Sequence, residues 1–271
     1  MESAKLDGIT LEYEASGTGE PVVFIHGAFI ADSFRPLMSE PSLADHYELI
    51  LYHRRGYAGS SRASGRVSPA QQAEDCSRLL WHLGVERVHV VGHSWGGCFA
   101  LQLALDFPEL VHSLAVLEAG LMTGASGRAY RESLIRVEQR FHEVGPATVA
   151  DSFLKARWPG YRPHLDRILP GAFERAVADA GTTFGPDLGL LDWTFGEAEA
   201  GRITQPTLVV LGGDSESLDP RFPETRRLLL QWLPNAEDFV LPGKTHFMQV
   251  EKPREMAEAL SRFFARYPAS V

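Results

Sequence analysis

Short apolar runs bounded by turn residues limit this chain's fold more than any other feature. They lie at 22–25 (Val-Val-Phe-Ile), 49–52 (Leu-Ile-Leu-Tyr), 88–91 (Val-His-Val-Val), 114–117 (Leu-Ala-Val-Leu) and 207–211 (Thr-Leu-Val-Val-Leu). Each is too short for a packed helix and apolar almost throughout, which suits strands buried on both faces of a parallel sheet. A weaker sixth run lies at 239–241. Residues 9–15 alternate with period two instead, like a half-buried antiparallel strand near a sheet edge. Helical patterns fall between the runs. Residues 69–83 open on Ser68-Pro69, an N-cap with proline at the first helical position. Residues 95–106 follow a strand almost directly, and 253–266 come near the end of the sequence. This alternation predicts an α/β fold, a mostly parallel central sheet with helices on both faces.

The rhythm breaks once. Residues 121–201 carry helical periodicity, at 130–144, 146–156 and 170–180, and no convincing strand. A structureless loop of that length would be anomalous in a compact domain, so the segment reads as a helical insertion over the C-terminal strand ends. The expected organisation is one core domain, 1–120 with 202–271, carrying a helical lid at 121–201.

Bulk properties narrow the partners. The formal net charge is −9, which repels nucleic acid and anionic membranes unless a basic patch overrides it. The densest basic run, His53-Arg54-Arg55, is too short to be read as such a patch. No apolar run approaches the ~18 residues of a membrane span. The first residues lack the basic and apolar stretches of a secretion signal, so a cytoplasmic protein is expected. Cys76 and Cys98 fall in helical segments and read as buried thiols.

The chemistry starts at Gly92-His93-Ser94-Trp95-Gly96-Gly97. This G-x-S-x-G follows a strand and precedes a helix, the context that gives the motif meaning. A sharp strand-to-helix turn holds its central residue strained, and small neighbours avoid a clash. Ser94 is therefore the candidate nucleophile. The positive end of the following helix favours the oxyanion that forms on attack. Gly243-Lys244-Thr245 is not a phosphate-binding loop, because Asp238 stands where that motif needs glycine. No H-E-x-x-H is present, and neither a metal nor a cofactor is expected.

With these features in view, the chain resembles the α/β-hydrolase superfamily over nearly its whole length. The marks are 22–25 followed by His26-Gly27, Arg55-Gly56-Tyr57-Ala58-Gly59-Ser60, the turn at Ser94, and Thr245-His246-Phe247 after the final strand. The resemblance implies that 121–201 is the family's cap domain. It implies His246 as general base, taking the Ser94 proton and later giving a proton to the leaving group. It implies oxyanion donors in the backbone N–H groups of Trp95 and Ala28, with Phe29 the alternative to Ala28.

The triad acid departs from the usual pattern. Members commonly place it three residues beyond the glycine ending the strand at 207–211, and here that position is Ser215. Asp214 and Glu216 flank it, each one residue out of register. Glu118, at the end of the preceding strand, is the first choice; Asp214 and then Glu216 are the alternatives. Zearalenone-lactone hydrolases resemble this chain in that placement and near Asp192-Trp193-Thr194-Phe195-Gly196.

Phe29, Trp95, Trp158, Phe184, Trp193 and Phe195 are candidates to line an apolar cavity between sheet and cap. The expected function is hydrolysis of an ester or lactone in a small-to-medium hydrophobic substrate through an acyl-enzyme. A C–C bond hydrolase, or a cofactor-free lyase or perhydrolase, is the alternative on the same triad. A small-molecule receptor is the alternative outside enzymes, since fold alone does not fix function. Dehalogenase and epoxide-hydrolase chemistry need a carboxylate where Ser94 stands. Homodimerisation is left open by the sequence.

Overall fold

Residues 1–268 are described by a computed structural model. One eight-stranded sheet runs in the order β1-β2-β4-β3-β5-β6-β7-β8. Its strands are β1 (Glu2–Leu6), β2 (Ile9–Ser16), β3 (Glu20–Ile25), β4 (Tyr47–Tyr52), β5 (Val88–His93), β6 (Val111–Leu117), β7 (Thr207–Gly212) and β8 (Ala236–Leu241). Strand β2 pairs antiparallel with β1 and β4, while every other neighbouring pair is parallel. The apolar runs all became strands because both sheet faces are covered. Val23, Ile25 and Val90 point into one buried cluster, and Val22, Phe24 and Val91 into another. The weak run near 239 is explained by β8, an edge strand with only Leu241 buried. Strand β1 has no counterpart in the sequence reading, because Ala4 is its only buried residue.

Helices α1 (Pro69–His82) and α2 (Trp95–Asp106) connect the central strands. A capping box fixes the start of α1. Ser68 Oγ accepts from the Gln71 N–H, and the Gln71 side chain accepts from the Ser68 N–H. Between β6 and β7 the chain is helical, with α3 (Gly124–Val144), α4 (Pro146–Arg157), α5 (Tyr161–Ile168), α6 (Ala172–Ala178) and a 3-10 stretch at Pro186–Asp192. Two further helices, α7 (Arg221–Trp232) and α8 (Pro253–Arg266), flank β8 in sequence.

A buried ion pair ties the helical segment to the sheet. Arg54, just beyond β4, donates from Nη1 and Nη2 to the Asp187 carboxylate at 2.9 and 2.8 Å. Both side chains are fully buried. Tyr57 Oη donates to the same carboxylate at 2.6 Å, and Arg54 also donates to the carbonyls of His26 and Gly27. The middle residue of the basic run thus points inward as a structural cation. Cys76 and Cys98 are buried free thiols. No helix among the described residues is long and apolar enough to cross a membrane.

Candidate active site

Strand order reverses between β3 and β5, the place where open α/β sheets leave a crevice at their C-terminal ends. The loop after β3 carries Gly27, Ala28 and Phe29, and the turn after β5 carries Ser94. Ser94 has φ 56° and ψ −121°, a left-handed conformation rare outside glycine. Its N–H is held by the Leu117 carbonyl at 2.9 Å, and its own carbonyl accepts from Gly97 and Gly120. Gly96 is required here because a Cβ on it would lie 2.0 Å from the Ile25 carbonyl oxygen. Among the described residues, four other than glycine have positive φ: Phe29, Ala58, Ser94 and Glu118. Three of them are site candidates, and such strain persists only where the surroundings enforce it.

Glu118 lies directly beyond β6, its N–H held by the Val210 carbonyl. Its carboxylate accepts from His246 Nδ1 at 2.7 Å through Oε2 and from the Gly212 N–H at 2.7 Å through Oε1. Gly212 must be glycine, since a Cβ there would meet the carbonyl oxygens of Lys244 and Thr245 at 2.6 Å. That close approach brings the His246 loop over the ends of β6 and β7. His93 Nε2 donates to the His246 carbonyl at 2.8 Å, and the Phe222 ring stacks on the His246 ring at 4.3 Å. With Nδ1 donating to Glu118, Nε2 of His246 carries the free lone pair.

Asp214 and Glu216 are both exposed, and neither makes a hydrogen bond to His246 among the described residues. The turn after β7 points their carboxylates outward and buries Ser215 instead. This corrects both alternatives for the acid. Ser94 Oγ shows no hydrogen bond to His246 among the described residues, and apo geometry of this contact is often loose.

Burial pushes the Glu118 carboxyl up to about 7, opposed by the Ser215 hydroxyl, the Gly212 N–H and the cations nearby. His246 is shifted the other way. Burial holds it well below the ordinary histidine range, and Arg157 and Arg221 reinforce this. The imidazole is therefore neutral at rest, and the Glu118 side chain on Nδ1 is the group placed to favour its protonation.

Two strands supply the N–H groups expected to face an oxyanion. Those of Trp95, Ala28 and Phe29 have no acceptor among the described residues. The loop after β3 lies against Ser94, so close that a Cβ on Gly27 would sit 2.9 Å from Ser94 Cβ. His26 is structural, with Nε2 accepting from the Arg54 N–H at 3.0 Å.

The aromatic candidates divide. Phe29 packs on Phe153 at 4.7 Å and on Phe184 at 5.9 Å. Phe184 and Phe153 line a cavity of about 540 Å³ under α3 and α4. Trp158 stacks on Phe247 at 5.7 Å and lines a second, more polar cavity of about 600 Å³ beside Lys244 and Thr245. Ser94 and His246 line neither cavity and are themselves buried. Trp95 is fully buried in the core against Gly120 rather than forming a wall. Trp193 and Phe195 stack on each other at the other end of the helical segment, where Trp193 Nε1 donates to Gln102 on α2. Trp193 lines a separate cavity of about 310 Å³ there, apart from the one at Phe153 and Phe184. Arg157, Arg221, Tyr130, Phe153 and Phe222 were missed by sequence reasoning. The one available signal was Arg157, placed one turn after Phe153 on a buried helix face.

A family profile described as the alpha/beta hydrolase fold matches residues 20–253, and the chain belongs to this family. It is 30% identical over 271 residues to the dihydrolipoyllysine-residue acetyltransferase component of the acetoin cleaving system of Cupriavidus necator, covering 96% of this chain and 67% of that one. It is 26% identical over 287 residues to the soluble epoxide hydrolase of Corynebacterium sp., covering 97% and 96%. A thermophilic esterase from Thermogutta terrifontis superposes with a TM-score of 0.86 at 20% identity, covering 99% of this chain and all of that one. These names span different chemistries, so the reaction must be argued from the site.

Proposed function

We propose that the protein is a serine hydrolase that cleaves an ester or lactone bond through an acyl-enzyme. The observation that carries this reading is the 2.7 Å hydrogen bond between His246 Nδ1 and Glu118, next to a strained Ser94. In this mechanism His246 Nε2 takes the proton of Ser94 as its oxygen attacks the carbonyl carbon. The N–H groups of Trp95 and Ala28 receive the oxyanion, each worth roughly 10²–10³ in kcat. Glu118 holds the imidazole tautomer and stabilises the imidazolium. His246 then protonates the leaving oxygen. Water, deprotonated by His246, attacks the acyl-enzyme and frees Ser94. A carboxylate nucleophile would serve epoxide or halide chemistry, and serine at 94 turns the site toward acyl transfer.

Residues 121–201 act in this reading as a cap over the strand ends, with 1–120 and 202–271 as the core. The substrate is a small hydrophobic molecule, and the protein is not expected to bind nucleic acid or membrane.

The test is intact mass after treatment with a small fluorophosphonate. A single adduct on wild type, absent from Ser94→Ala, is expected. No adduct on folded wild type would overturn the reading and favour a small-molecule receptor.

A further inference from the structure

The cavity between α3 and α4 has apolar walls in Leu134, Val149, Phe153 and Phe184. Three arginines also line it. Arg136 and Arg140 face glutamates on their own helix, Glu132 and Glu143. Arg157 does not. It is only 8% exposed, yet no carboxylate lies within ion-pair distance of it among the described residues. Its Nη1 donates to the Phe153 carbonyl of its own helix at 3.1 Å, and its Nε has no acceptor. The guanidinium sits 3.6 Å from the Phe153 ring centre and 5.5 Å from that of Tyr130. Tyr130 Oη, another cavity residue, is buried without a partner in good hydrogen-bond geometry, and Arg157 is its nearby polar neighbour. Arg221, 3.5 Å from the centre of the Tyr130 ring, is already neutralised by Asp219 at 2.9 Å.

Asp219, already paired with Arg221, attracts Arg157 only from beyond contact distance. A buried cation without a carboxylate in direct contact is costly, and a ring face with one carbonyl does not replace one. The missing partner is therefore an anion supplied from outside. Of the three cations that line the cavity, Arg157 alone has no carboxylate in contact among the described residues, and one such cation matches one negative charge. A planar fork of N–H donors matches a carboxylate better than a phosphate dianion, which would need a second free cation.

We infer that Arg157 and Tyr130 form a subsite for a carboxylate carried by the substrate, so that the protein prefers amphipathic acids to neutral molecules of the same shape. Phe153 and Phe184 pack between this cavity and Phe29 of the loop after β3, and Arg157 lies near enough to His246 for its charge to be felt there. The inference rests on the hydrolase reading only for the fate of the bound molecule.

The test is calorimetric binding of 4-phenylbutyrate and of 4-phenylbutan-1-ol to wild type, Arg157→Met and Arg157→Lys. Wild type should bind the acid at least about tenfold more tightly than the alcohol, the size expected of a charged hydrogen bond. Arg157→Met should abolish this ratio, and Arg157→Lys should restore part of it. Equal affinity of wild type for acid and alcohol would overturn the subsite. So would a ratio that survives Arg157→Met. If Arg157→Met does not fold, the wild-type ratio and the lysine variant still decide. Binding needs no turnover, so a carboxylate preference without fluorophosphonate labelling would sink the hydrolase reading and leave the subsite standing.

Discussion

Replacing Glu118 by glutamine separates the role of this carboxylate from its shape. In the native site Oε1 accepts from the Gly212 N–H and Oε2 accepts from His246 Nδ1. Gly212 N–H is fixed by the end of β7, so the amide oxygen of the variant must face it. The NH₂ group is then turned toward His246 Nδ1, which can only accept from it. The imidazole is driven to the tautomer with its proton on Nε2, where Ser94 needs a lone pair. The imidazolium also loses its counter-charge. The corresponding change in a well-studied serine protease triad lowers kcat by about 10⁴, and ~5.5 kcal/mol of barrier corresponds to that factor. A loss of about 10³–10⁴ in kcat/KM for p-nitrophenyl acetate is expected here. Asp214→Asn, at an exposed position, should stay within about twofold. Circular dichroism would show both variants folded. A loss below about tenfold for Glu118→Gln, or a larger loss for Asp214→Asn, would refute the assignment of the acid.

Two further outcomes follow from charges away from the nucleophile. His53 bridges Glu12 and Asp32, and although burial opposes its charge, hydrogen bonds and attraction from these two carboxylates raise its pKa. A raised histidine pKa contributes stability that is complete below about pH 6.5 and lost as pH climbs through the folded-state value. The melting-temperature gap between wild type and His53→Gln should therefore be largest near pH 5.5 and shrink toward about pH 9, whereas a constant gap would contradict this. Asp187→Asn strands Arg54 without its counter-charge in the interior. A loss of about 3–5 kcal/mol in urea unfolding is expected, and a loss under about 1 kcal/mol would show the pair to be dispensable.

Much of this fold was readable before any coordinates, for identifiable reasons. The runs at 22–25, 88–91 and 114–117 are apolar on both sides because helices cover both faces, and that pattern is local. The strained turn at Ser94 is also local, written in glycines that a neighbouring strand requires. Glu118 was legible as the end of an apolar run where a lone carboxylate demands a partner. Other features depend on contacts between distant segments. Asp214 and Glu216 stood near the expected register, and only the folded turn shows their carboxylates outside. Trp193 and Phe195 carry the right character at the wrong end of the helical segment. The solitude of Arg157 is a property of everything around it, and no pattern of neighbours in sequence records it.

The position of Glu118 has a consequence for variation and design. His93 pairs with Leu117 across β5 and β6, so Ser94 and Glu118 each follow one member of the same rung. Their spacing is set by a backbone ladder in the middle of the sheet. In the proposed triad the turn at 213–219 then supplies no carboxylate, and its fixed points are the backbone hydrogen bonds of Gly213 and Asp214, the buried Ser215 and the Asp219–Arg221 pair. Exposed positions of such a loop, Asp214 and Glu216 among them, can be recharged or exchanged while the spacing of Ser94 and Glu118 is kept by the ladder. In this protein the stretch beside Asp214, which also borders the cavity at Trp158, is the place to alter what enters without retuning what reacts.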